Sequence, residues 1–507
     1  MKTFQGKIFV RNGKIDSLKT GKGYLKIIFP DENREYDFGN SYAIPGLVDS
    51  HGHVAALGKQ INGLTLNDCR SAEECAFRAS RHNISRGSWI TGKGWNQELW
   101  EISDYPHRKI LDDIIPGQPV YLMRVDGHTC WVNSKALESA GITKNTPDPP
   151  GGTIEKDARG NLTGILTDNA IKLVHRFIPA YSSDQIRAFI LDAMDALASV
   201  GITEVHDMDV PDRQLKIYNS LSENNQLTIK IQSYISTQDE EFIKKIRSYR
   251  IGSLHVAGIK FYADGALGSH GAALIEPYTD RPAFYGLRLT DNETLIAKAR
   301  EGLDRGFYVA THAIGDAANR LVLNAYRSLR DEGYTKNTDI LRIEHAQIVH
   351  PDDLKMFGEL GIYAAVQPMQ CITDTYMAPK RLGERIRYCY PWRSLIKNGA
   401  RLMGGSDFPI ESQDPFWGID AFIRRTHPGE KHPYNEKEIL SLDEAFDAYI
   451  SVPRELTSRQ FQNGRLEEKM DADICVLKED PKLATSDIKN IRPEAVFCDG
   501  ELTYPKK

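Results

Sequence analysis

From residue 201 to residue 406, short apolar runs alternate with helical stretches, and that pattern leaves few folds open. The runs are Gly201–His206, Thr228–Ile235, Val256–Ala263, Phe307–His312, Ile340–His345, Ile362–Gln367 and Arg401–Ser406. Most are rich in Val, Ile and Ala, as expected of strands covered on both faces. Between them, Asn292–Arg305, Asp316–Asp331, Pro351–Leu360 and Pro391–Asn398 read as helices. A further helix precedes the first run. Ser182 and Gln185 have capping-box spacing, Ile186, Phe189, Ile190, Ala193, Met194 and Leu197 recur at helical intervals, and Gly201 can stop it. One more apolar run, Ile44–His51, lies far upstream. Eight parallel strands alternating with helices form an α/β fold, the (β/α)8 or TIM barrel.

Two departures from a plain barrel are legible. Residues 54 to about 200, between the first and second strands, far exceed a βα unit of roughly 30 residues. This stretch has its own strands, Trp89–Gly92 and Val120–Val125, and the turn Pro-Asp-Pro-Pro-Gly-Gly at 147–152. It reads as a subdomain inserted at 60–180, where βα loops sit, over the mouth of the barrel. Both chain ends look strand-rich: Lys7–Val10, Tyr24–Phe29 and Ser41–Ile44 at one, Ala472–Leu477 and Ala495–Cys498 at the other. Each piece is short for a stable sheet, so residues 1–45 and 460–507 are expected to pair into one small β-sandwich beside a barrel of 46–459.

The chain has 507 residues, 26% of them charged, and a net charge of −5. No basic surface argues for nucleic acid, and no polybasic run argues for anionic lipid. The opening Met-Lys-Thr-Phe-Gln-Gly-Lys has no apolar leader, and nothing approaches the roughly 18 apolar residues of a membrane span. Seven cysteines, an odd number without a Cys-x-x-Cys pair, do not form a disulfide framework. These features are expected of a cytoplasmic protein acting on a small molecule; a homo-oligomer is left open. Any metal here is held by nitrogen and oxygen.

Candidate ligands fall at strand ends, where barrels of this kind keep their sites. The first strand runs into Pro45-Gly46-Leu47-Val48-Asp49-Ser50-His51-Gly52-His53. Residues two apart share a strand face, so both imidazoles can converge on one point. Alone, the pair fits a metal site or two loop histidines equally well. The fourth strand holds Lys260 within an apolar run. The fifth ends at His312, the sixth at Glu344-His345, the seventh at Gln367 and the eighth at Ser406-Asp407. Singly, each has a bland explanation: a core histidine, a snorkelling lysine, a helix-capping aspartate. Together they mark one site.

The order His-x-His, Lys, His, His, Asp on strands one, four, five, six and eight resembles that of the amidohydrolase superfamily. Further stretches resemble one branch of it, amidohydrolase family 3, which includes YtcJ-like hydrolases and N-substituted formamide deformylases. They are Gly94-Trp95-Asn96, Asp126-Gly127-His128, Trp131-Val132-Asn133-Ser134, the run from Lys260 to Ser269, His312-Ala313-Ile314-Gly315-Asp316, Glu344-His345-Ala346-Gln347, Gly405 to Pro409 and Gly464-Arg465-Leu466. The resemblance implies a metal-dependent hydrolase of non-peptide C–N bonds: an amide, an N-formyl group or a cyclic amide. His51, His53 and Asp407 would hold one divalent ion, His312 and His345 a second, and a carbon-dioxide-derived carbamate on Lys260 would bridge them. A histidine-rich, thiol-free set suits zinc, as one or two ions. A metal-activated hydroxide would attack, with Asp407 as general base and then acid. The alternatives are a mononuclear deaminase- or esterase-like hydrolase, or an inactive metal-binding scaffold.

Other residues are left with two readings. His128, Trp95, Trp131 and Gln367 are candidates for substrate contact; a structural role fits His128 equally, and core packing of the insert is the readier reading of the tryptophans. Asp316 and His206 are candidates for supporting the ligands from behind, Asp316 by orienting His312; otherwise Asp316 simply starts the next helix and His206 is a core residue. His270 stands where this branch commonly has arginine.

Overall fold

The computed structural model describes residues 3–82, 89–237, 240–335, 338–427, 429–430, 432–457, 464–483 and 488–506. The expected boundary at 459/460 lies outside them. The chain divides into two compact units, Met1–Leu57 with Ile190–Lys507, and Gly58–Phe189.

The first unit contains the barrel. Its strands are β1 (Leu47–Gly52), β2 (Ile202–Val210), β3 (Lys230–Ser236), β4 (Leu254–Tyr262), β5 (Tyr308–Ala313), β6 (Leu341–His345), β7 (Tyr363–Val366) and β8 (Arg401–Gly404). They pair in parallel in chain order. The ring closes where β1 meets β8: the Asp407 N–H donates to His51 O at 2.7 Å, and the His53 N–H to Phe408 O at 3.0 Å. Asp49 of β1 reinforces this seam, accepting from Ser406 Oγ at 2.7 Å and from the His51 N–H at 3.0 Å. Gly405 is required there, since a Cβ would lie 2.6 Å from the His51 nitrogen.

The first strand is shorter than its apolar run. Ile44 belongs instead to Tyr42–Pro45, which pairs with Ile474–Leu477. The chain changes sheets at Gly46, where any side chain would strike Thr203. Two four-stranded sheets form the small domain. One is N-terminal, Gly6–Arg11, Lys14–Thr20, Leu25–Phe29 and Arg34–Asp37; the other joins Tyr42–Pro45 to Ile474–Leu477, Pro493–Cys498 and Glu501–Tyr504. Their inner faces share one core, with Ile8, Ile27 and Phe29 against Ile474, Val476 and Phe497.

A buried charge cluster ties this sandwich to the start of the barrel. Lys230 Nζ, at the start of β3, reaches Asp473 at 2.7 Å and both Asp471 and Asp499 at 2.9 Å. Arg454 pairs with Asp473 at 3.2 Å and donates to Gly46 O at 2.8 Å.

The helix Ser183–Ser199 carries the expected capping box: Gln185 N donates to Ser182 Oγ at 3.1 Å, and Ser182 N to Gln185 Oε1 at 2.9 Å. The helix Asp316–Asp331 has the bounds the sequence suggests. No helix among the described residues is long and apolar enough to cross a membrane.

The second unit is a six-stranded sheet in the order Gly152–Lys156, Leu162–Asp168, Thr129–Val132, Val120–Arg124, Ile90–Trp95, Leu64–Thr65. It has two apolar cores, one around Trp95, Trp100 and Trp131, the other around Leu137, Leu166 and Ile171.

Candidate metal centre

The sheet alternation that places His51 and His53 on one face is realised, with ring centroids 5.7 Å apart. Gly52 between them is needed, since a Cβ would lie 2.3 Å from the Phe408 ring. Each imidazole is fixed through Nδ1. His53 Nδ1 bonds the Met208 carbonyl at 3.1 Å, and His51 Nδ1 bonds Glu344 Oε2 at 2.6 Å. With Nδ1 occupied, both rings turn Nε2 toward Asp407 Oδ1, at 3.2 Å from His53 and 3.5 Å from His51. Donor atoms of His51, His53 and Asp407 all lie within 4.8 Å of one another.

The remaining candidates surround this trio. The His345 ring is 5.1 Å from His51 and 4.4 Å from His312. Lys260 is fully buried, its Nζ 5.1 Å from the centre of the Tyr262 ring, and its charge acts on His51, His53, His312 and His345.

Backbone strain concentrates here. His345 and Asp407 adopt left-handed conformations, with φ of 72° and 59°. Such residues persist only where their surroundings hold them. Alternation along β6 would send Glu344 and His345 to opposite faces. The left-handed turn at His345 breaks it, so Glu344 bonds His51 while the His345 ring packs against the same residue.

The protonation states suit cation binding. Burial, followed by the charge of Lys260, drives His51 well below the usual histidine value; burial and neighbouring His345 do the same to His312. His345 falls to about 4, chiefly through burial. His53 is opposed by burial but lifted on balance by Asp407. Burial works against ionisation of Asp407, yet His53, His51 and His345 hold it well below the usual carboxylate range. Burial lowers Lys260 towards its neutral form. Burial keeps His51, His312 and His345 neutral beside an ionised Asp407, as a cation requires, and His53 would give up its proton on binding. Two buried ring nitrogens, His312 Nε2 and His345 Nδ1, have no hydrogen-bond partner among the described residues. Buried polar atoms rarely go unmet, and a divalent ion would satisfy them. The donor set fits one.

Three supporting groups were not singled out from sequence. Arg342, fully buried, donates to both oxygens of Glu344, at 2.5 and 3.0 Å, and to Ser50 O at 2.7 Å. That fixes the carboxylate orienting His51. The available signal was two charges, two residues apart, inside the apolar run of β6. Asp264 is the second; its carboxylate accepts from the N–H groups of Ala273, Gly315 and Ile314 at 2.8, 2.8 and 3.0 Å, and burial raises it to about 7. The third is Gln370, which reaches Asp407 Oδ2 at 3.2 Å.

The expected supporting residues stand differently. The carboxylate flanking the His312 ring is Asp264, at 3.6 Å, rather than Asp316. Asp316 opens its helix and accepts from Ile275 N at 2.9 Å, which anchors the loop after β4. His206 accepts from Arg342 at 2.9 Å and so stands behind the Arg342–Glu344 pair, not against a ligand. Gln367 is buried beside His345. In the second unit, Trp95 and Trp131 are core residues, and Trp95 Nε1 donates to Leu122 O at 2.9 Å. His128 is exposed and pairs with Asp168 at 3.0 Å. His270 bonds Asp280 at 3.2 Å and packs on the Tyr278 ring.

A parallel eight-stranded barrel with these residues gathered at its strand ends defines a metal-centre barrel of the hydrolase type. The sequence profile of the amidohydrolase family matches residues 34–504, and the chain belongs to that family. It is 30% identical to the putative amidohydrolase YtcJ of Bacillus subtilis, over 98% of this chain and 96% of the relative. It is 26% identical to the N-substituted formamide deformylase of Arthrobacter pascens, over 98% and 95%. Among solved structures, an uncharacterized metal-dependent hydrolase from Pyrococcus furiosus matches with a TM-score of 0.76 and 25% identity, over 94% of this chain and 99% of that one.

The support given to His51 makes a testable case. Glu344→Gln keeps the shape but removes the charge that polarises the ring. Metal affinity is expected to drop about 10- to 100-fold, read by competition with a chromophoric chelator. An unchanged affinity would show that Glu344 serves the fold alone.

Proposed function

We propose that this chain is a metal-dependent hydrolase of non-peptide C–N bonds, acting on an amide, an N-formyl group or a cyclic amide. The meeting of His51, His53 and Asp407 within 4.8 Å, with Lys260, His312 and His345 around them, carries the proposal. The named activity of the formamide deformylase relative supports the bond type.

His51, His53 and Asp407 would hold one divalent ion, and His312 and His345 a second, with zinc suited to the donor set. An ammonium cannot ligate a cation. Burial favours the neutral amine of Lys260, which can attack carbon dioxide; a nitrogen–carbon bond forms, a proton leaves, and the carbamate offers two anionic oxygens. The bound ions would supply Lewis acidity, lowering the pKa of water towards ~7 and polarising the substrate carbonyl. Asp407, ionised at neutral pH, takes the proton of the attacking water on its carboxylate and delivers it to the leaving nitrogen. His51 and His53 keep Nε2 free for ligation because Glu344 and Met208 O occupy Nδ1. The small-molecule substrate fits the family, and the seven free cysteines support a cytoplasmic setting.

A single-ion site is the second reading, favoured because His51, His53 and Asp407 are the one trio of such donors that converges, within 4.8 Å, among the described residues. The test is to strip the protein with a chelator, reload zinc with and without bicarbonate, and assay N-alkyl formamides, acyl amides, cyclic amides and esters. Stripping should cost on the order of 10³-fold in turnover, several kcal/mol of barrier. Two zinc ions per chain with a bicarbonate requirement fit the bridged centre, and one ion without that requirement fits the alternative. Turnover of esters with no amide cleaved would end the C–N assignment.

A further inference from the structure

The short helix Pro368–Thr373 follows β7 and touches the loop after β8, where its third residue, Gln370, points at the candidate base. Gln370 Nε2 lies 3.2 Å from Asp407 Oδ2, while Asp407 Oδ1 faces His53 at 3.2 Å and His51 at 3.5 Å. The two oxygens of one carboxylate are thus divided between different partners. We propose that Gln370 is a positioning residue, whose amide locks the plane of the Asp407 carboxylate so that Oδ1 serves the metal site and one lone pair of Oδ2 stays open for the proton. This rests on the proposed role of Asp407.

Among the described residues, Gln370 is the one hydrogen-bond partner of Asp407 Oδ2. The backbone is pinned by the bond from Asp407 N to His51 O at 2.7 Å. That fixes where the side chain starts but not its terminal rotation, and χ2 of an aspartate is a broad, roughly two-fold torsion. A half-turn would exchange the oxygens. A neutral N–H donor selects one orientation without adding charge. A lysine or arginine there would compete for the carboxylate, and a glutamate would repel it.

The helix carrying Gln370 is itself held on both sides. Thr373 Oγ1 donates to Glu411 at 2.7 Å, in the loop after β8. Asp374, just beyond the helix, accepts from Gln347 Nε2 at 2.9 Å and Tyr390 Oη at 2.7 Å. Gln370 is therefore presented from a braced element, as positioning groups must be.

The test compares Gln370→Met, which keeps length and packing but has no donor, with Thr373→Val, which cuts the neighbouring tie to Glu411. Both are measured as zinc-loaded enzyme and as stripped protein titrated with zinc. Q370M should lose about 10-fold in zinc affinity and about 10-fold or more in kcat at saturating zinc, with KM within about twofold of wild type. T373V keeps the amide and only loosens the helix that presents it, so it should lose less than about threefold in zinc affinity and in kcat, with KM unchanged. A Q370M protein equal to wild type in zinc affinity or in kcat overturns the proposal. So does an equal loss in Q370M and T373V, which would assign the effect to helix packing. Asp407→Asn in the same assay separates the two levels: an active D407N refutes the role of Asp407, whereas an inactive D407N beside a normal Q370M refutes only the role of Gln370.

Discussion

Asp407→Asn should reduce kcat by about 10³-fold or more while leaving the fold in place. Asparagine tolerates the left-handed backbone that Asp407 adopts, so the φ of 59° and the hydrogen bond from its N–H to His51 O should survive. What disappears is the charge. A neutral amide is a poorer ligand for a cation and cannot take a proton from water, so both assigned roles fail together. The pKa of Asp407 is held down by His53, His51 and His345 against the opposing effect of burial, so in the wild type the carboxylate is ionised across the neutral range. The measurement pairs kcat at saturating zinc with metal content and thermal unfolding. A fully loaded D407N that keeps a tenth of wild-type turnover would show that Asp407 is at most a ligand.

The second large effect is on stability. Lys230→Met removes the cation shared by Asp471, Asp473 and Asp499 and leaves buried carboxylates facing one another. Breaking such a pair typically costs about 3–5 kcal/mol. Burial opposes ionisation of Asp471 and Asp473, but Lys230 pulls both below the ordinary carboxylate value. Their contribution is thus complete above the unfolded-state value of about 3.9 and fades as pH falls through the lower folded one. Lys230 is opposed by burial too, yet Asp473 and its neighbours raise it above its usual value. Its contribution is present below about 10.4 and fades as pH rises through the folded value. Asp499 moves the other way, raised mainly by burial, and partly offsets the acid effect. In urea unfolding, K230M should be less stable than wild type by about 3–5 kcal/mol at pH 7, with the gap closing in acid. A gap below about 1 kcal/mol at pH 7 would mean that Arg454 and solvent suffice.

How much of this was visible in the chain follows from where each partner lies. The six candidate ligands are legible because they lie in or just after five apolar runs, His51 and His53 sharing the first, and each run carries their orientation with it. Their supports are not, because contact partners lie far apart in sequence: Glu344 is 293 positions from His51, and Ser406 is 357 from Asp49. Asp316, four residues on, is the natural choice in sequence to flank His312, but Asp264, just beyond the end of neighbouring β4, takes that place at 3.6 Å. Lys14–Thr20 carries no strand signal in sequence because only Ile15 is fully covered among polar neighbours. Ile44 was assigned to the barrel because apolar character runs unbroken across Gly46, where the chain changes sheets.

The closing seam of the barrel has a consequence of its own. The bonds that complete the ring, Asp407 N to His51 O and His53 N to Phe408 O, come from the residues expected to grip the ion. Where most barrels could loosen a joint without harming chemistry elsewhere, this one has put its weld and its reactor in the same few residues. Substitutions that relax β1 against β8 will read as lost turnover before they read as lost structure. Any substitution at Asp49, Gly52, Gly405 or Phe408 therefore meets two demands that cannot be relaxed separately.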